Sequence, residues 1–199
     1  MPDDVLASEI IALLAAPFPL ASIEIKPGAT NQAKDKCLCL AYADSRAYME
    51  RLDAVVGPSN WSARYEMLSP TIIQCAVTIC GVTKYDVGDL PQGDPNAATV
   101  ASAQAFKRAC SNFGLGRYLY SLPQKWADYD AQKRKVVNPQ RVAQELYRIA
   151  GYSTEDQVID VVPHSAPGAT VVHAPAPEPP RRALSQRPQP GELERARPS

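Results

Sequence analysis

WSARYEMLSPTIIQCAVTICGVTKYDV, residues 61 to 87, holds three strand-like runs in direct succession. Trp61 to Leu68, Thr71 to Cys80 and Val82 to Val87 are rich in β-branched and aromatic residues, and a Ser69-Pro70 pair and Gly81 separate them. Short turns between such runs are the pattern of an antiparallel meander.

Upstream, SIEIKPG from Ser22 alternates as a strand does, and KCLCLAYA from Lys36 is a second strand. Asp44 then caps a helix through SRAYMERLDAVV, which Gly57 terminates. Residues 4 to 15, DVLASEIIALLA, form an amphipathic helix capped by Asp3 or Asp4 and stopped by Pro17 and Pro19.

Downstream, the polar loop GDLPQGDPN leads into SAQAFKRACSNFGLGRYLY, residues 102 to 120. At about 100° per residue, Val100, Ala103, Phe106, Cys110 and Phe113 share one side of a helix, and Gln104, Lys107, Arg108 and Ser111 the other. Gly114 and Gly116 end it. After LPQKW comes a short polar segment, DYDAQKRKVV, and Asn138 with Pro139 then open a closing helix, QRVAQELYRIA, that Gly151 ends. The order α, β, β, α, β, β, β, α, α predicts an α+β domain over residues 1–152, an antiparallel sheet backed by helices.

Nine of the nineteen prolines lie from Pro163 onward, among Ala, Ser, Arg and Gln with almost no aromatics. Such a segment buries too little surface to offset its ordering entropy, so residues 153–199 are expected to be a disordered Pro/Ala-rich tail. EDQVIDVV, residues 155–162, is either a short docking segment for a protein partner or a spare edge strand or plain linker.

The chain has no run of eighteen apolar residues, so no membrane span is expected, and acidic Asp3 and Asp4 stand where a signal peptide carries basic residues. A cytoplasmic protein follows. The five cysteines, 37, 39, 75, 80 and 110, sit in apolar runs without framework spacing and are expected to be reduced and buried. With no C-x-x-C, and with His164 and His173 both in the tail, neither a zinc site nor any other cofactor is expected.

The same scarcity of histidine removes Ser/His and Cys/His nucleophilic arrangements from the folded part. Asp86, Asp89 and Asp94 would suit a Mg²⁺-dependent nuclease, but they run from a strand end into a Gly/Pro loop, where acidic residues are common as turn formers. Catalysis is therefore not expected. Binding has more support. The net charge is zero, yet residues 1–100 carry seven Lys and Arg against twelve Asp and Glu, a net of −5, while residues 101–150 carry nine against three, a net of +6. Nucleic-acid binding responds to that local field. Lys107, Arg108, Arg117, Lys125 and the run Lys133, Arg134, Lys135 could track a phosphate backbone, and Arg46 could join them if two helices flank one groove. Trp61, Tyr65, Tyr118 and Tyr120 are candidates to stack on unpaired bases, with core packing as the other reading of each. Lys133 to Lys135 could equally be a solvated hairpin tip.

The order DSRAYMERLDAVVGPSNWSARYE, then TKYDVGD, then SAQAFKRACSNFGLGRYLY resembles the Rad52-type superfamily of single-strand annealing proteins over about residues 8 to 150. That resemblance implies a curved antiparallel sheet packed by helices, protomers assembled into a homo-oligomeric ring, and a basic groove that takes single-stranded DNA. It places Lys107 and Arg108 at the family's groove cations and Arg46 at another groove arginine. It further implies a non-catalytic role in double-strand break repair and the DNA damage response, holding 3′ ends and shielding them from nucleases. Pro58 stands where annealing relatives often carry an aromatic residue, and Ser111 where they carry a third cation. The loss of a ring and a charge favours end protection, with annealing and recombination mediation as the alternative.

Overall fold

The computed structural model describes residues 6–154. Three strands, β3 (Trp61–Ser69), β4 (Ile72–Ile79) and β5 (Val82–Asp89), form the antiparallel meander read from the sequence, with β4 in the middle. Alternation along β4 is complete: Ile73, Cys75, Val77 and Ile79 are buried, and the residues between them are half-exposed. One face of this sheet is therefore core.

A second antiparallel sheet has the order β1 (Ile23–Thr30), β2 (Lys36–Ala43), β6 (Lys125–Asp130) and β7 (Lys135–Val136). With the helices α1 (Ser8–Ala15), α2 (Ser45–Val56), α3 (Ala97–Ser111) and α4 (Pro139–Ile149), the strands make an α+β fold whose sheet is strongly curled. The strands β6 and β7 are a correction to the expected element order, which held a polar segment there, while Lys133 to Lys135 do form the hairpin tip offered as one reading. In isolation KWADYD is a weak strand, because Asp128 and Asp130 carry little β propensity. It becomes one by pairing with β2, Lys36 opposite Asp128 and Leu38 opposite Trp126.

Two further boundaries differ. The first helix starts at Ser8, with Ala7 at its N-cap and no side-chain cap bond; Asp3 and Asp4 lie outside the described residues. The face of α3 that packs is Ala101, Ala105, Phe106, Ala109 and Cys110, rotated from the expected one, so that Val100 is 44% exposed. The reason is how closely α3 approaches the meander. At Gly88 the α3 backbone lies so near that a Cβ would run into the Ala101 carbonyl. Alanines, and a glycine beneath them, are what such an approach admits.

The main core joins α1, α2, α3 and the inner face of the meander, with Leu14, Leu52, Val77, Ile79, Phe106 and Leu115 fully buried. A smaller cluster of Cys37, Cys39, Val136, Val142 and Leu146 fills the space between the four-stranded sheet and α4. Among the described residues the buried charge is Arg51, 5% exposed. Its guanidinium donates to the carbonyls of Leu13 (3.0 Å), Ala16 (2.7 Å) and Pro17 (2.9 Å), satisfying orphan acceptors at the end of α1. Burial lowers its pKa, and the nearby Tyr118 and Tyr147 oppose that shift.

Candidate nucleic-acid interface

The acid Asp44 at the head of α2 accepts from the Arg46 backbone N–H at 2.9 Å, as the expected cap, and leaves the Arg46 side chain exposed in the first turn. Across from it runs α3. A cleft of about 370 Å³ opens between the two helices and β3, lined by Ser45, Met49, Tyr65, Thr99, Ser102 and Phe106 among others. The two helices thus flank one groove, and Arg46 follows its lining residue Ser45 in α2.

Lys107 and Arg108 are neighbours in sequence that the helix sends in different directions. Lys107 is half-buried; its ammonium donates to the Ala43 carbonyl at 3.4 Å and lies 6.0 Å from the centre of the Tyr42 ring. Burial, followed by the nearby Lys26, pushes its pKa below the ordinary lysine value, against the opposing pull of Asp44 and Glu24. Arg108 instead faces β5, where Nη1 donates to the Val87 carbonyl at 2.9 Å and lies 3.7 Å from Asp89 Oδ2.

The Arg108 contact is one of three. Gln104 Oε1 accepts from the Asp89 N–H at 3.0 Å, and Asn112 Nδ2 donates to the Tyr85 carbonyl at 3.0 Å. Residues 104, 108 and 112 advance about 6 Å per step along the helix, and 89, 87 and 85 about 6.8 Å along the strand, so the two spacings nearly match. β5 is an edge strand, and α3 side chains satisfy the backbone groups that its edge leaves unpaired. Part of the polar face of α3 is thereby structural.

Arg117 Nε donates to the Ser111 carbonyl at 2.7 Å, tying the turn after α3 back to the helix end. That turn needs glycine: Gly116 has φ +71°, and a Cβ there would meet the Tyr48 hydroxyl. Lys133, Arg134 and Lys135 occupy the tip and return of the β6–β7 hairpin; all are exposed, and Lys133 pairs with Asp130 at 3.6 Å. Lys125 is held by Glu145 at 2.7 Å.

Of the four aromatic candidates, two belong to the fold. The Tyr118 hydroxyl contacts that of Tyr147 at 2.6 Å and accepts from the Phe18 N–H, while its ring packs edge-on against Tyr147 and Tyr152. Trp61 packs against Phe106 and donates to Asp53 at 2.7 Å. Tyr120 is 70% exposed, and Tyr65 lines the cleft, where burial and then Cys75 push its hydroxyl pKa up to about 12.

The three loop acids do not converge. Asp86 accepts from its neighbour's Val87 N–H and from Asn112, Asp89 pairs with Arg108, and Asp94 accepts from the Asn96 N–H. Among the described residues no three His, Cys, Asp or Glu side chains are placed to hold a metal, and no helix is long and apolar enough to cross a membrane. Cys80 departs from the expectation of buried thiols: it sits exposed in the β4–β5 turn with φ +47°, whereas the other four cysteines are buried.

The family model described as "Rad52/22 family double-strand break repair protein" matches residues 7–138, which hold every cation named above from Arg46 to Lys135. The chain belongs to the Rad52/22 family. Among curated relatives, the single-stranded DNA-binding protein DdrA of Deinococcus radiodurans is 42% identical over 131 residues, covering 64% of this chain and 62% of that protein. A Deinococcus deserti protein of the same name is 37% identical over 135 residues, covering 66% of this chain and 67% of its own. The match thus spans about three-fifths of the length of the first relative. These Rad52/22-type names describe DNA binding and repair, and neither names a reaction. No solved structure matches the chain.

Proposed function

We propose that this Rad52/22 family protein is a non-catalytic, cytoplasmic binder of single-stranded DNA that assembles into a homo-oligomeric ring and protects 3′ ends from nucleases in double-strand break repair. The observation that carries the single-stranded DNA part of this reading is the similarity to two proteins named for single-stranded DNA binding. In this reading residues 1–152 carry the binding, and the tail from 153 serves a protein partner. The cleft between α2 and α3 takes the strand, and Arg46, next in sequence to the lining Ser45, and Lys107, next to the lining Phe106, contact its phosphates. Arg108 adds a phosphate contact on the β5 side of α3 with the guanidinium nitrogens other than Nη1. Arg117 and the hairpin cations Lys133, Arg134 and Lys135 extend the path beyond the cleft. Each phosphate neutralised steepens the salt dependence.

Binding of a labelled oligonucleotide across a salt series tests the reading. A Lys107→Ala, Arg108→Ala double variant is expected to bind more weakly and with a shallower salt slope; full affinity with an unchanged slope would overturn it. End protection has a separate measure. In the protein's presence, strands with a free 3′ terminus should survive exonuclease longer than strands with a free 5′ terminus, and equal decay would exclude the preference. Sedimentation or light scattering reads the assembly, for which a monomer would exclude a ring.

A further inference from the structure

The four-stranded sheet ends in β1 on one side and β7 on the other, each hydrogen-bonded to a single neighbouring strand. Both free edges border one groove of about 480 Å³: Ile23 to Pro27 of β1, Lys135 and Val136 of β7, and Pro139 and Gln140 from the first turn of α4 line it. On the meander, α3 side chains cover the edge of β5; among the described residues no side-chain hydrogen bond does the same for β1. An uncovered strand edge is a template for one more strand.

The chain leaves the described fold close to this groove. Gly151, with φ +75°, reverses it after α4: the Gly151 N–H donates to the Arg148 carbonyl at 3.2 Å and the Tyr152 N–H to the Tyr147 carbonyl at 2.9 Å, a Schellman turn. The Tyr152 ring then packs on those of Tyr118 and Tyr147, 5.3 and 5.7 Å away. Tyr147 in turn donates to the carbonyl of Phe18, in the segment that leads into β1, at 3.0 Å. From Tyr147 back to the groove residue Gln140 is about 10 Å along the helix, while the eight residues 155–162, extended, reach about 26 Å.

We infer that EDQVIDVV, residues 155–162, which lies outside the described residues, docks in this groove as a strand alongside β1, running from Ile23 toward Pro27. In an extended chain Gln157, Ile159 and Val161 point to one side and Asp156, Val158 and Asp160 to the other. The first set matches half-buried Ile23 and Ile25 and buried Val136. The acids match the hairpin. Lys26 is paired with Glu24 at 3.4 Å and Lys133 with Asp130 at 3.6 Å, but among the described residues no acid pairs with Arg134 or Lys135, and the segment brings three acids and no cation. Pro27, which has no N–H, and the register shift after it end the usable edge. The tail from Pro163 onward is left for the partner proposed above. Docking needs no DNA, so it goes beyond the single-strand reading and does not rest on it.

The test uses the full chain. Amides of residues 155–162 should exchange hydrogen about 10-fold more slowly than in a free peptide of that sequence. An Ile159→Asp, Val161→Asp variant should speed exchange in that segment and at residues 23–26, and leave α3 and the meander unchanged. A carbodiimide, which condenses an ammonium and a carboxylate to an amide and takes up the water released, should link Lys135 to Glu155, Asp156 or Asp160 within one chain, and Lys135→Gln should remove the link. Exchange in the segment as fast as in the free peptide would overturn the inference. So would a double variant that leaves residues 23–26 unchanged, which would place the segment elsewhere. A Lys135 link carried by denatured dimers in place of monomers would put another copy's segment in the groove, and also overturns it.

Discussion

Arg108 donates to the Val87 carbonyl at 2.9 Å as the middle member of a series in which Gln104, Arg108 and Asn112 cover the free edge of β5. The residue therefore belongs both to the fold and to the proposed binding surface, whereas Lys107 beside it does not hold a strand edge. Arg108→Ala is expected to lower stability by about 1–2 kcal/mol, the usual cost of leaving a partly buried acceptor unpaired, in addition to weakening DNA binding. Gln104→Ala should lower stability alone. Urea melts set beside binding curves for the two variants separate these effects, and equal loss of affinity in both would refute the division.

The Tyr118 hydroxyl sits between the Phe18 N–H and the Tyr147 hydroxyl, which itself donates to the Phe18 carbonyl at 3.0 Å. Burial raises the pKa of both phenols, so they act as neutral hydrogen-bonding groups at any ordinary pH. Tyr118→Phe keeps the ring and strands one N–H, for an expected loss of about 1–2 kcal/mol in a denaturant melt. Single-strand affinity should be unchanged. A large loss of affinity with normal stability would return Tyr118 to the binding surface.

Lys107 predicts a pH dependence. Its folded pKa lies below the ordinary 10.5 because burial, then Lys26, disfavours the cation, while Asp44 and Glu24 partly oppose them. Between the two values the unfolded chain binds more protons than the native one, so this group adds stability as pH rises through that window. Binding has the opposite sign, since a phosphate needs the protonated form. Affinity should be full below the folded pKa of Lys107 and decline as pH rises through it, before surface lysines titrate. Lys107→Arg should hold its affinity across the same range, because a guanidinium stays charged. Binding curves from pH 7 to about 10.5 check this.

Cys80 is the exposed thiol among five. A disulfide reagent added to the native protein should titrate one equivalent quickly and the remaining four only after denaturation. Cys80→Ser should abolish the fast phase. Burial raises the pKa of all five thiols, Cys80 included, with Cys39 and Cys75 at about 11, so exposure is what sets Cys80 apart. Fast titration of two or more equivalents would contradict the packing described for β2 and β4.

The meander, α2 with its Asp44 cap, and the glycine turn after α3 were legible because their signals are local: alternation with period two, a side chain that bonds two residues on, a backbone that needs positive φ. The strands of the β6–β7 hairpin were not, although Lys133 to Lys135 read equally as its tip. KWADYD becomes a strand only when β2 offers it partners, and those lie some ninety residues earlier in the chain. The same holds for Trp61 and Tyr118, whose composition suits a stacking surface and whose partners, Asp53, Phe18 and Tyr147, place them in the fold.

By itself the sequence determined the fold class, the family and the concentration of cations in residues 101–150, since hydrophobic period, motif order and charge are properties of the chain alone. Tertiary structure decided how those cations are used. A helix turns adjacent residues about 100° apart, so Lys107 meets β2 and Tyr42 while Arg108 meets the edge of β5, and no linear pattern says which strand lies on which side. The meeting of Lys26 and Lys107 at the Tyr42 ring was invisible for the same reason: each reads as one more residue of its own element until the β1–β2 register and α3 bring two lysines to one ring.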